Sequence, residues 1–472
     1  MPLNQFRNTI EAAIHAGKLQ DGLIGEGVMI PGLFGDVPLV YADYVASGRA
    51  MRQVEEFIAT QVLPYYANSH TEASYCGAYM TRLRSAARAE IARAVNAGKE
   101  DAVIFTGSGA TAGLNRLVSL LGVNEAERPV VFIGPYEHHS NILPWRESKA
   151  EVVEIPEAAG GGVDLDALEV ALAAHAEADL LIGSFSAASN VTGILTDPDP
   201  VSRLLRSHGA RVIWDYAGGG PYLSIDMCSG GDAQKDAVVI SPHKFPGGPG
   251  ASGVLVVNKD AVQRTCPSWP GGGTVSFVSP WRHDYSDDLA AREEAGTPNV
   301  IGDIRAALAF IIKDVVGEPY IAEREARYNE MALEGWGDNP HLTLLGTNSP
   351  HRLPIFSFLV RDDIGQPVHQ QLFTRMLSDV CGIQARGGCA CAGPYAHRLL
   401  GIDQEASQNL HDELAAGHEL SKPGWVRLNF SYLMREDTVR FIIDAVNDLT
   451  RRTAELAPHY KVDATTARFK AA

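Results

Sequence analysis

No apolar run in this chain of 472 residues approaches the roughly 18 consecutive residues that a membrane-spanning helix requires, so the sequence predicts no membrane segment. The opening residues Met1-Pro2-Leu3-Asn4-Gln5-Phe6 lack a charged stretch followed by an apolar core, and the expected location is the cytoplasm. Cysteine is scarce. Cys76, Cys228, Cys266, Cys381, Cys389 and Cys391 are too few for a disulfide framework in so long a chain, which fits a reducing compartment. The pair Cys389 and Cys391 has no second Cys-x-Cys or Cys-x-x-Cys to complete a tetrahedral zinc site, and no metal is expected. Positive charge is in short supply too. Lys and Arg number 40 against 57 Asp and Glu, and the net charge of −17 disfavours nucleic acid and anionic membranes as partners. No internal repeat is visible.

The chain does have enough apolar residues, 45%, to bury a large core, and a length that suggests two domains. Apolar runs at 102–105, 130–133, 180–183, 212–214, 237–240 and 253–257 alternate with helical patterns, as in an α/β fold with a mainly parallel sheet. After about Asp314 the pattern becomes α+β, with strands expected near 355–360 and 426–430. The expected division is a large domain over 36–312 and a smaller one built from 1–35 and 313–472. The acid-rich stretch 403–422 reads as a solvated helix in preference to a lid, and the tail 461–472 as loose.

Polar clusters follow these strands. The run Ala237-Val238-Val239-Ile240 opens into Ser241-Pro242-His243-Lys244 and a glycine-rich loop, a place where a lysine amine can form a Schiff base with an aldehyde cofactor rather than serve as a solvated loop residue. Asp215 ends another apolar strand and suits a protonated pyridine nitrogen, or else caps a turn. Thr106-Gly107-Ser108-Gly109-Ala110-Thr111 stands between a strand and a helix start, a phosphate cradle whose glycine spacing matches neither the dinucleotide nor the nucleoside triphosphate pattern. Glu137-His138-His139-Ser140-Asn141 and Ser189-Asn190 follow two more strands. Open α/β sheets bind ligands at the carboxyl ends of their strands, so the distribution fits one crevice.

These motifs, with Glu-Ala-Gly-Thr-Pro-Asn at 294–299 and the cysteine loop from Arg386 to Pro394, resemble the class V aminotransferase fold family of pyridoxal phosphate (PLP) enzymes, in its cysteine desulfurase and selenocysteine lyase branch. The resemblance runs from about Tyr41 to Phe430. It implies PLP-dependent fold type I: a large domain with a mainly parallel seven-stranded sheet and a smaller α+β C-terminal domain. It implies Lys244 as the Schiff-base lysine, Asp215 at the pyridine nitrogen and His138 stacked on the ring. Ala110, Thr111, Ser241 and His243 are implied at the cofactor, with Thr297 reaching the phosphate from a neighbouring subunit, hence a homodimer with shared sites. Asn190 would lie near cofactor and substrate, His70 near the substrate, and Arg427 on its carboxylate, for which a forked guanidinium is suited. Cys391, counted from Arg386 and Pro394, aligns with the nucleophile that takes sulfur from the amino-acid substrate and passes it to an acceptor protein. Arg386 would favour its thiolate.

The sequence departs from the family in two places. Gly218 stands where the family has a Gln bonding the phenolic oxygen of PLP. Cys389 makes a Cys-x-Cys loop similar to that of molybdenum cofactor sulfurases, leaving the sulfur acceptor open. If that loop is extended, Cys389 and Cys391 face the same side, and either could be the nucleophile. The implied reaction turns L-cysteine, or a sulfur or selenium relative, into L-alanine and an enzyme persulfide. Alternatives on the same fold are a carbon–sulfur lyase, an epimerase or an aminotransferase; outside enzymes, a non-catalytic sulfur carrier or regulatory partner.

Overall fold

The computed structural model describes residues 2–69, 71–347 and 349–472. The chain forms two compact units, one of Met1–Leu23, Ser47–Ala188 and Thr196–Glu318, the other of Ile24–Ala46, Ser189–Leu195 and Pro319–Ala472.

The larger unit is built on a seven-stranded sheet. Its strands are β1 (Asp101–Gly107), β2 (Pro129–Ile133), β3 (Glu151–Glu154), β4 (Leu180–Ser186), β5 (Arg211–Asp215), β6 (Ala237–Ile240) and β7 (Gly253–Asn258). Across the sheet the order is β1-β7-β6-β5-β4-β2-β3. Every residue of β2, β6 and β7 is buried, because a sheet covered on both faces selects unbroken Val/Ile/Leu runs over alternation. The edge strand β3, Glu-Val-Val-Glu, is only half-buried, and its short mixed pattern gave no strand signal. Strand β7 is antiparallel to both of its neighbours, and the remaining pairs are parallel. The carboxyl ends of β1, β2, β4, β5 and β6 therefore share one edge of the sheet.

Helix α1 (Pro2–His15) buries Leu3, Phe6 and Ile10, with the Phe6 ring 5.4 Å from that of Phe57. This apolar stripe keeps the first residues in the larger unit, whereas the expected division assigned 1–35 to the smaller one. Helix α2 (Tyr75–Ala94) is capped by Ser74, whose hydroxyl accepts from the Gly77 N–H. Helix α3 (Gly109–Leu120) follows β1 directly, and α4 (Val300–Val316) is buried on nearly every face.

The smaller unit contains an antiparallel sheet of β8 (Leu342–Leu344), β9 (Ile355–Arg361), β10 (Arg386–Gly388) and β11 (Trp425–Asn429), ordered β8-β9-β11-β10, with the short Pro367–Val368 strand also on β9. Trp336 of α5 (Glu318–Gly337) packs against Phe356, Phe358 and Phe430 at ring separations of 5.2, 5.8 and 6.1 Å. Helix α6 (Gln370–Cys381) flanks β10, and α7 (Gly393–Leu400) follows the cysteine loop. Helix α8 (Gln404–Ala415) has no fully buried residue, so the 403–422 stretch contains a solvated helix. The tail is not loose: Tyr460–Asp463 and Arg468–Ala471 form a hairpin whose turn is closed by Asp463 accepting from the Thr465 N–H and hydroxyl. Among the described residues no helix is long and apolar enough to cross a membrane.

Candidate active site

At the end of β1 the backbone enters the left-handed region at Gly107 (φ 80°) and Gly109 (φ 61°), then starts α3. A Cβ at Gly109 would lie 2.9 Å from both His243 Cε1 and Ser241 Oγ, so only glycine lets the loop after β6 approach this helix start. The Ala110 N–H donates to Ser241 Oγ at 3.0 Å, and Thr111 Oγ1 lies 2.7 Å from Ser140 Oγ. Ala110, Thr111, Ser241 and His243 thus gather at one helix N-terminus, where backbone N–H groups and the dipole favour an anion. Burial, aided by the charge of Lys244, pushes the His243 imidazole down to about 4. The ring is therefore neutral at physiological pH.

Half-buried Lys244 ends a single 3₁₀ turn, Pro242–Lys244, held where the His243 carbonyl accepts from the Gly48 N–H at 2.9 Å. Asp215, at the carboxyl end of β5, is 4% exposed. Burial pushes its carboxyl up, against the Ala217 N–H bonded to Oδ1 at 2.7 Å and the charge of Lys244. His138 Nδ1 accepts from the Ser140 N–H at 3.1 Å, which assigns the proton of the neutral ring to Nε2. Gly218 lies in the turn closed by the Gly220 N–H on the Tyr216 carbonyl at 2.7 Å and offers no side-chain donor.

Glu137 escaped the sequence reading as a site residue because a carboxylate flanked by polar residues reads as solvated loop. Its fully buried carboxyl accepts from the Ser186 N–H (2.8 Å) and Oγ (2.7 Å), from Asn141 Nδ2 (2.5 Å) and from the Gly134 N–H (3.3 Å). These bonds tie the His138 loop to the end of β4. Burial pushes Glu137 up to about 7, with Asp215 adding to the rise and the Ser186 and Asn141 bonds opposing it. A carboxyl whose pKa is higher folded than unfolded stabilises the fold at low pH, and that contribution is lost as pH rises from about 4.5 to about 7. Glu137→Gln is expected to remove a pH-dependent loss of roughly 3 kcal/mol over that window. Urea unfolding of both proteins at several pH values measures it; parallel stability curves would show that Glu137 does not titrate there.

Thr297 is exposed, in the segment between the Leu289–Glu293 helix and α4. Nearby Glu294 accepts from the Phe105 N–H (2.7 Å), Arg88 (2.8 Å) and Arg84 (2.5 Å). Burial pushes Glu294 up, but the arginines outweigh it and hold the carboxyl below its usual range.

In the smaller unit, Arg427 is 3% exposed and its Nη1 donates to the Asn190 carbonyl at 2.9 Å. Its Nη2 donates to Asp43 Oδ1 at 3.0 Å, while the buried Nε–H has no partner among the described residues. Burial pulls the guanidinium pKa down, and Asp43 opposes it. Arg386 Nε donates to the other oxygen of Asp43, also at 3.0 Å. Asn190 Nδ2 donates to the Ala390 carbonyl of the cysteine loop at 2.9 Å; its buried Oδ1 has no partner among the described residues. The loop is compact rather than extended: Ala390 (φ 54°) and Cys391 (φ 55°) are both left-handed, each at a cost of about 1 kcal/mol or more. Cys389 and Cys391 therefore do not face one side as alternate residues of an extended strand would. Cys391 is exposed, Cys389 half-buried, and both are free thiols. His70 lies outside the described residues.

Among the described residues no cluster of His, Cys, Asp and Glu could hold a metal. The donors fit PLP instead: a helix start that only glycine leaves open, a buried carboxyl, an imidazole and a lysine line one sheet edge. Asp43 was missed because its partners, Arg386 and Arg427, are remote in sequence, and Glu137 because its burial depends on Ser186, 49 positions away.

A family model, aminotransferase class V, matches residues 40–438. A cysteine desulfurase of Salmonella newport is 30% identical over 388 residues, covering 80% of this chain and 91% of the relative. A probable cysteine desulfurase of Halalkalibacterium halodurans is 27% identical over 398 residues, covering 82% and 93%. A cysteine desulfurase structure from Thermococcus onnurineus matches with a TM-score of 0.72 and 22% identity, over 87% of this chain and 94% of that one. One from Escherichia coli matches with a TM-score of 0.70 and 22% identity, over 93% and 98%. The mixed seven-stranded sheet is that of PLP-dependent fold type I. With the motif residues gathered at strand ends and the match spanning most of the sequence, the chain belongs to the class V aminotransferase family of PLP-dependent enzymes, in its cysteine desulfurase branch.

Proposed function

We propose that the chain is a cysteine desulfurase that converts L-cysteine, or a close sulfur or selenium relative, to L-alanine and leaves the sulfur as a persulfide on Cys391. The observation that carries this reading is the exposed Cys391 thiol beside the Asn190–Arg427 pair, in a chain that also presents Lys244 at a phosphate cradle. Ala110, Thr111, Ser241 and His243 would hold the phosphate of PLP, Asp215 its pyridine nitrogen, His138 its ring and Lys244 its aldehyde carbon. When bound, PLP supplies an electron sink for bond changes at the substrate Cα and Cβ.

Lys244 moves the proton at the substrate Cα, and Arg427 binds the substrate carboxylate. The Cys391 thiolate attacks the substrate sulfur; the new S–S bond forms as the C–S bond breaks, and the carbon that keeps the electron pair takes a proton to become the methyl group of alanine. The persulfide then passes to an acceptor protein. Thr297 would act across a homodimer, and the few free cysteines support a cytoplasmic setting. The purified protein given L-cysteine should release alanine and bind sulfur in equal amounts. Pyruvate with ammonia would replace this reading with a carbon–sulfur lyase, the alternative that Gly218, by removing a cofactor donor, keeps in play.

A further inference from the structure

Arg386 of β10 and Arg427 of β11 are direct cross-strand partners, an arrangement in which like charges destabilise a sheet. One carboxylate lies between them: Asp43 accepts from Arg427 Nη2 on Oδ1 and from Arg386 Nε on Oδ2, each at 3.0 Å. Asp43 is itself 8% exposed, and its backbone is fixed on both sides. The Ala42 carbonyl accepts from the Asn429 N–H at 2.8 Å, Asn429 Oδ1 accepts from the Val45 N–H at 3.0 Å, and the Asp43 carbonyl accepts from the Tyr41 hydroxyl at 3.2 Å.

We propose that Asp43 is a positioning residue for substrate recognition, holding the Arg427 fork in one orientation beside a second arginine so that it receives the α-carboxylate of an amino acid. The proposal rests on the reading of Arg427 given above. With one aspartate between two guanidinium groups the trio carries a single positive charge, the complement of one carboxylate. The bond to Asp43 and the bond to the Asn190 carbonyl take one hydrogen from each terminal nitrogen, leaving the second hydrogen of each and the Nε–H, three donors in all, for an incoming carboxylate. Without the carboxylate the facing arginines would separate, and an ångström-scale displacement of a substrate-holding group can cost up to about a hundredfold in effectiveness.

The test compares L-alanine with L-alanine methyl ester, titrated into the PLP-loaded protein and followed by the visible absorbance of the cofactor. The ester lacks the charge that Arg427 recognises. Asp43→Asn is expected to weaken L-alanine binding by about tenfold or more while the ester changes by less than about twofold. Asp43→Glu, which retains the charge on a longer arm and tolerates loss of the first variant to misfolding, should show a smaller loss with the same selectivity. Equal weakening of acid and ester in a folded variant makes Asp43 purely structural and overturns the proposal. Tighter acid binding overturns it as well, making Asp43 a competitor of the substrate. The titration needs no sulfur chemistry, so a protein that makes no alanine from cysteine defeats the desulfurase reading and leaves this test intact. A wild type that binds acid and ester alike removes the assignment of Arg427 to the carboxylate, and the role of Asp43 with it, while the desulfurase reading stands or falls on alanine production.

Discussion

Lys244→Ala is expected to lose the borohydride-reducible covalent link to the cofactor and to turn over L-cysteine at least about a thousandfold more slowly than the wild type. Moving a proton at a reacting carbon by a positioned side chain contributes roughly 10²–10⁴-fold, and the proposed function gives Lys244 a second task in anchoring the cofactor covalently. Its place makes it hard to substitute. It ends the only turn between β6 and the glycine-rich loop, one residue beyond His243, whose ring a Cβ on Gly109 would strike. Its charge is felt at buried Asp215, where it opposes the rise that burial imposes on the carboxyl. The variant should keep its fold, since a half-buried lysine at a strand end contributes little core, and should still bind PLP non-covalently. Borohydride reduction of the wild type followed by peptide mapping gives the decisive reading. A reduced adduct on another lysine would overturn the assignment.

Cys391→Ala is expected to lose essentially all alanine production from L-cysteine while retaining the bound-cofactor absorbance of the wild type. In the proposed reaction the thiolate takes the sulfur, and no side chain other than a cysteine can hold it as a persulfide. Cys391 is the exposed member of the pair, carried on a backbone whose two consecutive left-handed residues are strained and bonded to Asn190 through the Ala390 carbonyl. Half-buried Cys389 is expected to be dispensable for the first turnover, and Cys389→Ala should slow only the onward passage of sulfur to an external thiol. Alanine measured in a single turnover separates the steps. Loss in Cys389→Ala with retention in Cys391→Ala reverses the two roles, and full activity in both variants removes the desulfurase reading.

Much of the larger unit was legible because its signals are local. Short, unbroken Val/Ile-rich runs such as 237–240 and 253–257, bounded by turn residues, suit interior strands that bury both faces, and Gly107 and Gly109 mark turns that L-residues with side chains adopt with strain. The edge strand over 151–154 was not legible, since two valines between glutamates are too short a pattern to separate from a loop. The tail hairpin was hidden for a related reason: its strands are mostly exposed and gain their pairing from a tight Asp463 turn rather than from apolar content.

By itself the sequence determined the α/β alternation, the strand-end placement of Lys244, Asp215 and His138, and the motifs that carry the family. Those features depend on hydrophobic period and turn chemistry within a few neighbouring residues. Only the tertiary structure decided which charges meet. It set Asp43 against Arg427, 384 positions away, and drew Glu137 into a buried nest with Ser186, 49 positions away. It also turned the cysteine loop into a compact left-handed bend rather than an extended strand. Ion pairs and buried carboxyls of this kind arise from desolvation and close approach after the chain has folded, and no periodicity along the sequence records which partner each charge will find.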